Sequence, residues 1–139
     1  MKRIMGIDFG AKRTGIAVTD ELQIIASGLT TIETEDIFTF LQNYFQTEKV
    51  ETVVIGLPKR LNNEDSVIEE QIQQFIAKFK KIFPFIQLER HDERFTSKLA
   101  LQTMIESNTT KKKRRNKALI DQISATIILQ SFMEKKHFS

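Results

Sequence analysis

Ile4-Met5-Gly6-Ile7-Asp8-Phe9-Gly10-Ala11-Lys12-Arg13-Thr14-Gly15-Ile16-Ala17-Val18-Thr19 is the stretch that decides the fold. Residues 2–9 alternate and are rich in Ile and Met, which predicts a strand. Gly10 to Gly15 predicts a tight turn, and residues 16–19 predict a second strand. Asp20 and Glu21 turn the chain again, and residues 23–32 predict a third. Short connections between the three give an antiparallel meander. Glycine permits positive φ and close approach of a ligand, so Gly6, Gly10 and Gly15 frame Asp8 as a unit.

Beyond the meander, the periodicity changes. Thr34 or Thr31 is expected to cap a helix with Ile37, Phe38, Leu41, Tyr44 and Phe45 on one face. Residues 51–57 are apolar at nearly every position, as in a strand buried on both faces, with Pro58 ending it. Residues 67–83 carry apolar side chains at helical spacing, and Pro84 follows. A fifth strand is expected over 85–88, running out into Arg90-His91-Asp92-Glu93-Arg94. A short helix from Thr96, a basic loop over 107–117 and a last helix over 118–135 complete the chain. The order βββαβαβαα predicts an α/β fold: a five-stranded mixed sheet, three antiparallel strands then parallel βα units, flanked by helices. Ligands in such sheets bind beyond the carboxyl ends of the central strands.

Three acidic positions gather at that end. Asp8 closes the first strand among apolar neighbours, where an unpartnered carboxylate is costly. Its side chain alternatively caps the Gly10 turn. Asp92 and Glu93 follow the fifth strand. Adjacent strand residues face opposite ways, so only one of them shares a spot with Asp8. Either one alternatively pairs with Arg90 or Arg94. Asp121 lies on the last helix, with Ser124, Ala125 and Ile128 on its small, apolar face. Clustered carboxylates repel one another unless cations neutralise them. Two divalent ions about 4 Å apart do so, and also activate water and stabilise the leaving oxygen of a phosphodiester.

Composition narrows the metal. The 139 residues contain no Cys and two His, His91 and His137, which excludes thiolate zinc and histidine-rich centres. Oxygen ligands suit Mg²⁺ or Mn²⁺. The length is that of one domain, expected to span 1–139. Asp8 interrupts any signal-peptide core and no run reaches the about 18 apolar residues of a membrane span, so the expected location is cytoplasmic. The net charge of +3 is local. Lys111, Lys112, Lys113, Arg114, Arg115 and Lys117 supply six bases; without them 15 basic residues face 18 acidic ones, a net of −3. Such a cluster on a mildly acidic body fits phosphate contact, or else a solvated loop.

Four motifs in order resemble a known family. They are Gly6 to Gly15, Val54 to Pro58, His91 to Ser97, and Asn116 to Asp121 followed by Ser124 to Leu129. Together they cover nearly the whole chain. They resemble the YqgF family of pre-16S rRNA nucleases, also described as Holliday junction resolvases, which are relatives of RuvC within the ribonuclease H-like superfamily. The resemblance implies a ribonuclease H-like fold, with Asp8, Glu93 and Asp121 as the metal-binding catalytic set and Asp92 second to Glu93. It implies trimming of the 5′ end of the small-subunit rRNA precursor, or cutting of four-way DNA. One departure follows Gly56-Leu57-Pro58. The family usually has an Asn and then an Asp-Gly turn, whereas this chain has Lys59-Arg60-Leu61-Asn62-Asn63-Glu64. Asn63 is expected to take the glycine's left-handed position, and Arg60 puts a base where a polar contact is usual.

The expected mechanism has Asp8 bridging two ions while Glu93 and Asp121 each complete one site. Lys12 and Arg13 hold a phosphate near the cut, and the 111–117 bases grip the backbone without reading sequence. Two rival classes remain. Actin-like and sugar-kinase ATPases share Asp-x-Gly but need a second such domain and an adenine pocket, for which 139 residues leave no room. A non-catalytic RNA-binding assembly factor fits the same fold, although one Tyr and no Trp leave few stacking platforms. Junction resolution requires two symmetric cuts and hence a two-fold homodimer; RNA and DNA are otherwise not distinguished.

Overall fold

β1 (Arg3–Asp8) sits at the centre of a five-stranded sheet of order β3-β2-β1-β4-β5. The computed structural model describes residues 2–57, 63–92 and 117–138. β2 (Arg13–Thr19) and β3 (Ala26–Glu33) complete an antiparallel meander with β1. A 3₁₀ turn over Thr34–Asp36 leads into α1 (Ile37–Thr47). β4 (Val50–Leu57) then returns parallel to β1, α2 (Asn63–Ile82) crosses over, and β5 (Gln87–Asp92) adds parallel to β4. The last described helix is α3 (Lys117–Phe138). This is the mixed sheet expected from the sequence.

Strand alternation gives the sheet two different faces. Met5, Ile7, Ile16, Val18, Val53 and Ile55 point to one side. There they pack with Ile37 and Leu41 of α1 and with Ile72, Phe75, Ile76 and Phe79 of α2. Phe45, Phe79 and Phe83 form a triad of edge-on and tilted contacts, with ring centroids 4.9 to 6.4 Å apart. The other side presents Ile4, Ala17 and Val54 to Ala125, Ile128, Leu129 and Met133 of α3. Both cores are apolar, but the second is built from smaller residues.

Several local expectations are corrected. Gly15 is inside β2, not in a turn, because the ladder with β3 starts at Arg13. Among the described residues no glycine has positive φ; Gln23 does, at 59°. In that β2–β3 loop Asp20 accepts from the backbone N–H groups of Leu22, Ile24 and Ile25. The third strand begins at Ala26, since this loop takes residues 23–25. Neither Thr31 nor Thr34 caps α1. Thr31 donates to the carbonyl of Ala118 on α3, and Thr34 to that of Gly10. Arg90, His91 and Asp92 belong to β5 rather than to an outgoing loop, because they pair with Ile55, Gly56 and Leu57. Asn63 opens α2 and takes no left-handed position. The helix expected from Thr96, the 111–116 bases and the Lys59–Asn62 segment lie outside the described residues.

Candidate active site

The site is built around Gly15. Asp8, the last residue of β1, pairs with Gly15 across the β1–β2 ladder. It shares its face with Ile4 and Gly6, the face that α3 covers. α3 comes so close that a Cβ placed on Gly15 would overlap the Asp121 carbonyl oxygen and lie 3.0 Å from the Asp121 Cβ. At Gly6 the same test meets the Leu129 Cβ at 2.8 Å, and at Gly28 the Gln122 Cβ at 3.2 Å. Three missing side chains thus form a trough on adjacent strands, and α3 lies in it. Gly15 thus touches both candidates: Asp8 is its ladder partner at the carboxyl end of β1, and the Asp121 backbone packs against it. This is the end where sheets of this type bind ligands.

The turn between β1 and β2 is anchored. Thr34 donates its backbone N–H to Lys12 O (2.9 Å) and its hydroxyl to Gly10 O (2.7 Å), and its hydroxyl also meets that of Thr14 at 2.7 Å. Lys12 is held in this turn through its carbonyl, and Arg13 opens β2 directly after it. Arg13 is not simply directed at solvent. Its Nε donates to Asp121 Oδ2 at 3.1 Å. The sequence singled out both residues but did not pair them; they are 108 positions apart.

Of the other two acidic candidates, Asp92 ends β5. The odd residues of this strand share the α3 face: Glu89 and His91 align with Val54 and Gly56 of β4. Asp92 aligns with Leu57 and so faces the α1/α2 side, away from Asp8 and Asp121. Glu93 lies outside the described residues. His91 is buried, with its Nε2 2.8 Å from Ser131 Oγ and its ring edge-on to Phe132. Burial, and then Lys135, push its pKa below the usual histidine value, against the pull of Asp92. Its contacts with Ser131 and Phe132 tie β5 to α3. Arg90 is engaged on the α2 side. Its guanidinium forks onto Glu69 of α2 at 2.8 and 2.9 Å and donates to the Gly56 carbonyl at 3.0 Å. The Arg90 bond holds the Glu69 carboxyl below its ordinary pKa, with Gln73 adding to the effect against desolvation.

Among the described residues no group of three or more metal-ligating side chains is assembled. Asp8 and Asp121 supply two, and both offer oxygen only. No described helix is long and apolar enough to cross a membrane.

Known proteins share this fold. The solved structure of "T. thermophilus RuvC in complex with Holliday junction substrate" superposes with a TM-score of 0.59, covering 97 % of this chain and 96 % of that one. At 13 % identity this likeness establishes the fold, the ribonuclease H-like one expected. A Flavobacterium psychrophilum protein is 59 % identical over 98 % of this chain and 99 % of its own length. A Christiangramia forsetii protein is 56 % identical over 96 % and 98 %, and a Bacteroides thetaiotaomicron protein 54 % over 99 % and 100 %. All three bear the name "Putative pre-16S rRNA nuclease". A family model described as "RuvX: Holliday junction resolvase" matches residues 2–135. With this match and these identities, the chain belongs to the RuvX family.

Proposed function

We propose that this chain is an endonuclease of one domain, 1–139, that hydrolyses phosphodiester bonds with carboxylate-held divalent cations and trims the 5′ end of pre-16S rRNA. The observation that carries the chemistry is that Gly15, at the carboxyl end of β1, is the ladder partner of Asp8 and is packed against Asp121. The names of relatives that match it end to end support the substrate.

An all-oxygen donor pair fits Mg²⁺ or Mn²⁺. Asp8, Asp121 and Glu93 would hold the ions; Asp92 is set aside because it faces the other side of the sheet. Bound there, the ions supply activation of water and stabilisation of the leaving oxygen. The chain's own part is positional. Gly15 admits Asp121, the Thr34 contacts fix the turn, and Lys12 and Arg13 present positive charge to a phosphate. Lys111, Lys112, Lys113, Arg114, Arg115 and Lys117 grip the backbone further along by charge alone. A ribosomal substrate places the protein in the cytoplasm.

The test is cleavage by the purified chain in Mn²⁺ of a precursor RNA carrying its 5′ extension, with a four-way DNA junction in parallel. Asp8→Asn is expected to lower the rate on the order of 10³-fold, about 4 kcal/mol of barrier, with an unchanged melting temperature. Full activity in that variant overturns the mechanism. Preferred cutting of the junction by a dimer replaces the RNA substrate with branched DNA. RNA binding that stays flat to about 200 mM salt removes the basic-run contacts.

A further inference from the structure

Arg13 does more than a phosphate contact requires. It spans the joint between β2 and α3 and touches one of the two described acids. Asp121 is held in place by its backbone against Gly15, and its side chain is 22 % exposed. The Arg13 side chain is 37 % exposed, and its backbone pairs with Glu33 at the start of β2.

We infer that Arg13 is the resident counter-cation of Asp121 and yields its place when a divalent cation binds, which frees the guanidinium for a substrate phosphate. This rests on the reading of Asp8 and Asp121 as metal ligands. A largely buried carboxylate requires a positive partner, and Arg13 supplies one before any ligand arrives. A guanidinium cannot lose its proton. It therefore cannot lessen its repulsion of an incoming cation by neutralising; it can only move. Partial exposure gives it room, and the strand-start position keeps it beside the acids. Its planar fork then matches a phosphate edge. Metal and phosphate binding become coupled, each strengthening the other by the same factor.

The experiment uses the full chain as wild type, Arg13→Met, which keeps the stem and drops the charge, and Arg13→Lys. Mn²⁺ affinity is measured by calorimetry, and thermal unfolding in EDTA and in saturating Mn²⁺. Arg13→Met is expected to bind Mn²⁺ about threefold to tenfold tighter, the scale of repulsion between a single and a double charge across about 6–12 Å of high dielectric. Its melting temperature falls below wild type in EDTA, and the gap narrows in Mn²⁺, as linkage requires. Arg13→Lys stays within about twofold of wild type, because the charge is retained. Unchanged or weaker Mn²⁺ binding by Arg13→Met overturns the inference, as does a melting deficit equal in both conditions, the mark of a merely structural pair. Should Arg13→Met not fold, Arg13→Gln carries the same expectations. Asp8→Asn separates the two levels. Mn²⁺ binding that depends on Asp8 but not on Arg13 leaves the metal site standing and removes the exchange alone. Binding indifferent to Asp8 removes both.

Discussion

The two faces of the sheet are packed for different ends. The α1/α2 face is filled with large side chains, and three phenylalanines of α2 and its end, Phe75, Phe79 and Phe83, stack along it. The α3 face instead omits side chains at Gly6, Gly15 and Gly28. Large apolar groups bury more surface and stabilise more. Glycines bury little, but they let a helix backbone approach a strand. The first face therefore contributes mainly stability, and the second mainly position: it seats Asp121 directly on Gly15, the ladder partner of Asp8.

Truncation on the first face breaks this contrast most strongly. Phe79 is fully buried, and Phe79→Ala is expected to cost about 3–5 kcal/mol. Denaturant unfolding measures it, and cleavage per folded molecule should change little. A cost below 1 kcal/mol removes the claim that this face carries the stability. Gly15→Ala tests the other face. Its methyl meets backbone, which cannot rotate away, so α3 must shift; the expected cost is about 1–3 kcal/mol. Activity per folded molecule should fall at least about tenfold (1.4 kcal/mol of barrier), because Asp121 moves with the helix. Equal activity at equal folded fraction breaks the positional reading.

The Arg90–Glu69 fork, which ties β5 to α2, gives the smallest effect. Each partner keeps about a fifth of its side chain exposed, so Glu69→Ala is expected to cost about 1 kcal/mol. The folded state holds the Glu69 carboxyl below its ordinary 4.5. Its stabilisation is therefore complete above that value and is lost as pH falls below it. Melting temperatures of wild type and variant should converge on acidification below pH 4.5; a gap that widens there contradicts the pairing.

Much of this was legible in the residues. The change from period two to helical spacing gave the element order, and an acid at a strand end and another on the small-residue face of the last helix made Asp8 and Asp121 candidates. Short-range alternation also limited Asp92 and Glu93 to one shared candidate, and the β5 register puts Asp92 on the α1/α2 face. The glycines were misread locally. Gly15 looked like a turn residue, because sequence neighbours suggest backbone freedom, whereas the constraint on it comes from a helix more than a hundred residues later. A spatial signal was present: Gly6, Gly15, Ala17 and Gly28 are small residues that fall on one face once the strands are in register. Thr34 misled similarly, since a threonine before a helix reads as a cap until a carbonyl from another turn claims it.

The sequence by itself determined the strand and helix periods, the chemistry available at the acids and the family, because these depend on residue type and spacing along the chain. Only the tertiary structure decided that Arg13 meets Asp121, that Arg90 meets Glu69 and that Asp92 faces away from the other acids. Pairings of this kind depend on strand register and on how closely α3 lies on the sheet. Both are set by the balance of side-chain volumes across the two cores, which no local stretch of sequence contains.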